Sequence, residues 1–107
     1  MKGSFAMGYS ISHGGTRYGY SATSLSRLGD KLRKSRNTDW PTLEPILGSR
    51  PGDPFDIHPQ QAQRIGQALH QAAGSLKIWD RNWAAMARQI ADSALLAARL
   101  GEPWRWS

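Results

Sequence analysis

The sequence predicts a small two-layer α+β domain dominated by helix. Apolar residues recur at 3–4 spacing along three long segments. Those segments carry helix start and stop residues at their ends. Three short stretches, "GYSIS", "FDI" and "WRW", alternate with a period of two instead. The expected strands are residues 8–12, 55–57 and 104–106, and the expected main helices 22–36, 59–73 and 81–100, with a short helix near 40–47. Three such strands cannot bury themselves, so they need a helical layer on one face. The alternative is an all-α bundle with the three stretches as extended packing arms.

In the first strand, Tyr9, Ile11 and His13 alternate with Ser10 and Ser12, and Gly14-Gly15 ends it. Ser21, Thr23 and Ser24 are candidate caps for the first helix. Leu25, Leu28 and Leu32 share one face of it, and Arg27, Lys31 and Lys34 share another, about 130° away. The short helix has Asp39 as its cap and Pro41 in its first turn, where a missing N–H costs nothing. Pro45 keeps it short. Residues 48–54 are a loop by composition.

The next helix has Pro59 at its first position and Gly74 just past its end, with Ala62, Ile65, Leu69 and Ala72 on its buried stripe. Gly66 inside it costs about 1 kcal/mol relative to alanine and signals a close neighbour. Asp80 caps the last helix, and Gly101 and Pro103 end it. Trp83, Ala87, Ile90, Ala94 and Ala97 or Ala98 form its stripe. Trp79, Trp83, Trp104 and Trp106 are expected to form one core cluster, with Trp40 apart as an interface candidate.

A chain of 107 residues is one domain by length, assigned to 7–107. Met7 offers a second start, so residues 1–6 are expected to be a remnant or a disordered beginning. No apolar run reaches the roughly 18 to 20 residues of a membrane helix. With no cysteine, disulfides and thiolate metal sites are excluded. The expected setting is the cytoplasm, without membrane contact.

The formal net charge is +6. From residue 37 onward the charges cancel, so the excess lies in Lys2, Arg17 and the segment Arg27 to Arg36. Arg27, Lys31, Arg33, Lys34 and Arg36 stand there against a single acid, Asp30. Such asymmetry fits an anionic partner, and a solvated helix face is its bland explanation.

None of the three histidines has metal-pair spacing, so no metal or cofactor is expected. His13 with Thr16, Arg17, Tyr18 and Tyr20 is the local group most like an active site. Histidine moves protons near neutral pH, arginine grips phosphate with two prongs, and tyrosine stacks on bases. "GGTRYGYSATS" opens a helix as phosphate loops do, yet fits neither GxxxxGK[ST] nor GxGxxG.

The opening "GYSISHG", the "PFDIHP" step into a helix and the closing "GEPWRW" resemble small domains of unknown function from actinobacterial, streptomycete-type genomes. The resemblance spans residues 7–107 and implies a bacterial origin. It transfers no activity and no site residue.

The leading expectation is a non-catalytic binding protein that contacts nucleic acid backbone through its first helix and the preceding loop. Arg17, Arg27, Lys31, Arg33, Lys34 and Arg36 would meet phosphates, while Tyr18 and Tyr20 stack on bases. About five neutralised phosphates give a log–log salt slope near −4 or −5. One alternative is a protein-interaction module, a regulator or inhibitor that meets an acidic protein surface. The other is a small metal-independent ribonuclease with His13 as acid/base and Arg17 as clamp. A homodimer is left open.

Overall fold

The two longest helices, residues 59–74 and 81–100, form the backbone of the molecule, and their alanines explain the closeness of the packing. The computed structural model describes residues 8–13, 19–35, 38–48 and 54–107. The strands are β1 (Gly8–Ser10), β2 (Gly19–Ser21), β3 (Phe55–Ile57) and β4 (Trp104–Trp106). The helices are α1 (Ala22–Arg33), α2 (Trp40–Leu47), α3 (Pro59–Gly74) and α4 (Arg81–Leu100), with a 3-10 turn at Ile78–Asp80. This is the small α+β domain the sequence predicts. The Gly14-Gly15 turn, the loop at 49–53 and residues 1–6 lie outside the described residues.

The strands expected at 55–57 and 104–106 form with those bounds, and the one expected at 8–12 forms as Gly8–Ser10, two residues shorter. β3 and β4 pair antiparallel, with Phe55 opposite Trp106 and Ile57 opposite Trp104. Beyond β1 the chain runs along β4 as well. Ile11 bridges to Trp106, and Ser12 N–H donates to the Arg105 carbonyl at 2.9 Å. The sequence reading omits β2, which pairs antiparallel with β1 and sets Tyr9 opposite Tyr20.

Caps follow the expected chemistry in part. The Ser21 hydroxyl accepts the Ser24 N–H and starts α1, which ends at Arg33, three residues before the expected end. His58 Nδ1 accepts the Gln60 N–H at the start of α3. Gly74 is the last residue of α3, not the residue past it. Gly101 ends α4 at φ 68°, the left-handed conformation expected of it. Neither Asp39 nor Asp80 caps with its side chain. Asp39 instead accepts from the Thr42 hydroxyl at 2.7 Å.

Leu25, Leu28 and Leu32 of α1 are buried, as are Leu43, Ile46 and Leu47 of α2. Between α3 and α4 the buried residues are chiefly small: Ala62, Gly66, Ala72, Ala87, Ala91 and Ala94. A Cβ on Gly66 would stand 2.6 Å from Leu95 Cγ and 3.1 Å from the Ala91 carbonyl oxygen. The close neighbour that Gly66 signals is therefore α4. Gly66→Ala gains about 1 kcal/mol of helix propensity. The overpacking is expected to outweigh this and leave a net loss of about 1–2 kcal/mol. Denaturant unfolding measures it, and an unchanged or raised midpoint would contradict the packing described.

Under the strands the aromatic residues gather. Trp104 and Trp106 are fully buried, with ring centroids 5.2 Å apart. Phe55 stacks on Trp106 at 5.6 Å, and Tyr9 meets both rings edge-on. Trp104 Nε1–H donates to the Ser93 hydroxyl at 3.1 Å. That hydroxyl, itself buried in α4, donates to the Ile90 carbonyl at 2.8 Å. Trp79 and Trp83 are not in this ring cluster. Trp83 is half-buried beside the core, and Trp79 is 74% exposed.

Candidate nucleic-acid interface

Leucine burial on α1 turns its cationic stripe outward, and the 3-10 turn rises opposite it. Between them lies a groove of 910 Å³. One wall carries Arg27, Lys31, Lys34 and Ser35 of α1 and the residues just after it, and the other carries Lys77, Trp79 and Trp83. Two contacts hold the walls in place. Lys31 Nζ meets Asp80 Oδ1 at 3.1 Å. The hydroxyls of Ser35 and Ser75 are 2.6 Å apart. Ser75 donates its one proton to the Ala72 carbonyl, so Ser35 donates to Ser75.

The carboxylate of Asp80 therefore serves the groove. Its side chain is 15% exposed and binds the ammonium of Lys31. Asp30 is the other acid on the groove, and Arg33 lies 3.6 Å from it. Four cations and two acids line the space, which leaves it net positive. Arg27 and Lys34 are exposed and form no ion pair among the described residues. The Lys77 ammonium sits 5.4 Å from the Trp79 ring centroid. Ile78, beside Trp79, is 78% exposed.

The expected binding residues thus separate. Arg27, Lys31 and Lys34 come together on the groove, with Lys31 committed to Asp80. Arg33 turns to the other flank, and its guanidinium lies 5.5 Å from the Trp40 ring centroid. Trp40 is half-buried against the core. Tyr20 also packs on the core, and its hydroxyl donates to Gln89 Oε1 of α4 at 2.8 Å. Arg17, Tyr18 and Arg36 lie outside the described residues. Lys77 and Trp79 were absent from the expected site. No sequence signal marked them, because the exposure of Trp79 is set by tertiary packing and Lys77 is a single lysine in a charge-balanced region.

His13 has a different setting. Its φ is 63°, uncommon for a residue with a side chain. Nε2 is 2.8 Å from Glu102 Oε1, and Nδ1 is 2.8 Å from the Ser12 hydroxyl. A carboxylate only accepts, so the neutral ring carries its proton on Nε2, and Nδ1 accepts from Ser12. Ser12 Oγ also accepts the Arg105 N–H at 2.9 Å. A hydroxyl, an imidazole and a carboxylate stand in the order that nucleophilic enzymes use. Here they fasten residues 12–13 to the C-terminal strand, and both ring nitrogens are engaged. The other histidines are also occupied: His58 caps α3, and His70 Nε2 meets Asp92 Oδ1 at 2.8 Å. Among the described residues no three histidine, aspartate or glutamate side chains gather as for a metal ion. No helix among them is long and apolar enough to cross a membrane.

Fold and groove together define a small α+β domain with a cationic, aromatic-edged cleft. The chain belongs to the family described as Domain of unknown function (DUF7739), whose model matches residues 14–107. The "PFDIHP" and "GEPWRW" segments fall inside that match, and "GYSISH" precedes it. Comparison with curated proteins and with solved structures gave no match.

Proposed function

We propose that this domain is a binding protein for nucleic acid and that the groove between α1 and the 3-10 turn holds the phosphate backbone. The observation that supports this most is the pair Arg27 and Lys34. Both are exposed on one wall and meet no acid among the described residues. Lys77 faces them from the other wall. Arginine offers a phosphate a two-pronged bond, and lysine offers it a point charge. The setting in this reading is a bacterial cytoplasm, where a chain without cysteine is at home.

Lys31 and Arg33 already have acidic partners, so the expected salt dependence is gentler than a count of basic residues suggests. Three cations that neutralise about three phosphates of a single strand give a log–log slope near −2. Fluorescence anisotropy of a labelled oligonucleotide over a range of salt concentrations measures it. A flat response rejects the reading.

An acidic protein surface is a second partner that such a groove fits, with exposed Ile78 and Trp79 as its apolar anchor. Pull-down before and after nuclease treatment separates the two. A partner protein that survives the nuclease would replace nucleic acid in this account.

A further inference from the structure

We infer that the groove selects single strands, with Trp79 as the platform on which a base stacks. This rests on the nucleic-acid reading above and adds the form of the ligand to it. Trp79 stands at the rim, 74% exposed, in a three-residue turn that buries none of its residues. Ile78 and Trp79 are neighbours and both exposed, and a contiguous apolar patch of this kind marks a surface for a ligand. The three cations named above line the same space, so a ligand that carries negative charge suits it. A nucleotide has both parts, a flat apolar base and a phosphate. In a duplex the base faces are covered by their neighbours, and only an unpaired strand can offer one. Lys77 lies over one face of the indole, so the base takes the other, and the ammonium stays close to the phosphate of a stacked nucleotide.

Tyr9, Trp104 and Trp106 cannot do this, because they are buried. Trp83 lies on the same groove but is half-buried, and it lines the space beside Trp79. The stacked base would therefore sit on Trp79 with its edge toward Trp83, and its backbone would pass between Arg27 and Lys34.

The test uses the full chain and three labelled probes of equal length: oligo-dT, the same strand with abasic sites throughout, and a dT·dA duplex. Wild type is expected to bind oligo-dT about 5- to 100-fold more tightly than the abasic strand, the range that stacking on one aromatic supplies. The duplex should bind no better than the abasic strand. Trp79→Ala should bind oligo-dT and the abasic strand alike, and Trp79→Phe should restore most of the difference. Circular dichroism of both variants should match wild type, since the ring is outside the core. If Trp79→Ala keeps the preference for oligo-dT, the inference is overturned while backbone binding stands. If wild type prefers the duplex, it is overturned as well. If wild type binds none of the three probes, the nucleic-acid reading itself fails.

Discussion

Trp104→Ala is expected to bring the domain to the edge of unfolding. The ring is fully buried, touches Trp106, and its Nε1–H donates to Ser93 inside α4. Truncation of such a residue costs about 3–5 kcal/mol, because the cavity adds to the lost transfer energy. A domain of this length holds roughly 5–15 kcal/mol in total. The melting temperature should fall by about 12–30 °C. Trp104→Phe should fall much less. It keeps most of the apolar volume, and the Ser93 hydroxyl still donates to the Ile90 carbonyl. A Trp104→Ala melting temperature within a few degrees of wild type would mean that β4 does not close the core as described.

Arg27→Glu/Lys34→Glu is expected to remove nucleic-acid binding while the fold remains. Both side chains are exposed and unpaired among the described residues, so their loss breaks no ion pair there. Lys34 stands at the C-terminal end of α1, where an acid meets the helix dipole unfavourably, at about 0.3–1 kcal/mol. That is small beside the effect on binding. Two attractive contacts become two repulsive ones, and affinity should drop about 100-fold or more at low salt. Charge reversal at an exposed arginine that does not line the groove, as in Arg64→Glu on α3, should have far less effect.

The helices were legible because their chemistry is periodic. The stripe of Ala62, Ile65, Leu69 and Ala72 needs only the 3.6-residue repeat, and it is buried as expected. Gly66 and Gly101 were legible for a different reason: each occupies a place that a side chain would crowd or strain. β2 was not legible. "GYS" at 19–21 has one apolar residue of its own, and backbone pairing with β1 makes it a strand. Tyr20 therefore looked like a surface residue of a loop, whereas the pairing directs it to the core.

Trp79 failed for a geometric reason. It is four residues before Trp83, which on a continuous helix would put both on one buried stripe. The helix begins at Arg81, and the 3-10 turn before it winds three residues per turn, so Trp79 swings outward. The charge count found α1 but could not find Lys77, a single lysine in a balanced region. It also could not foresee that Asp80, far along the chain, would neutralise Lys31. The groove is a product of tertiary packing between residues 27–35 and 75–83, and no local pattern records it.

The groove as the anion site is the central claim. Its most direct measurement is the log–log salt plot for a labelled single strand, taken for wild type and for Arg27→Glu/Lys34→Glu side by side. The account predicts a wild-type slope near −2 and a variant whose binding is lost or reduced to a nearly flat, weak residue. Two superimposable plots would contradict it and would place the anion elsewhere on the chain.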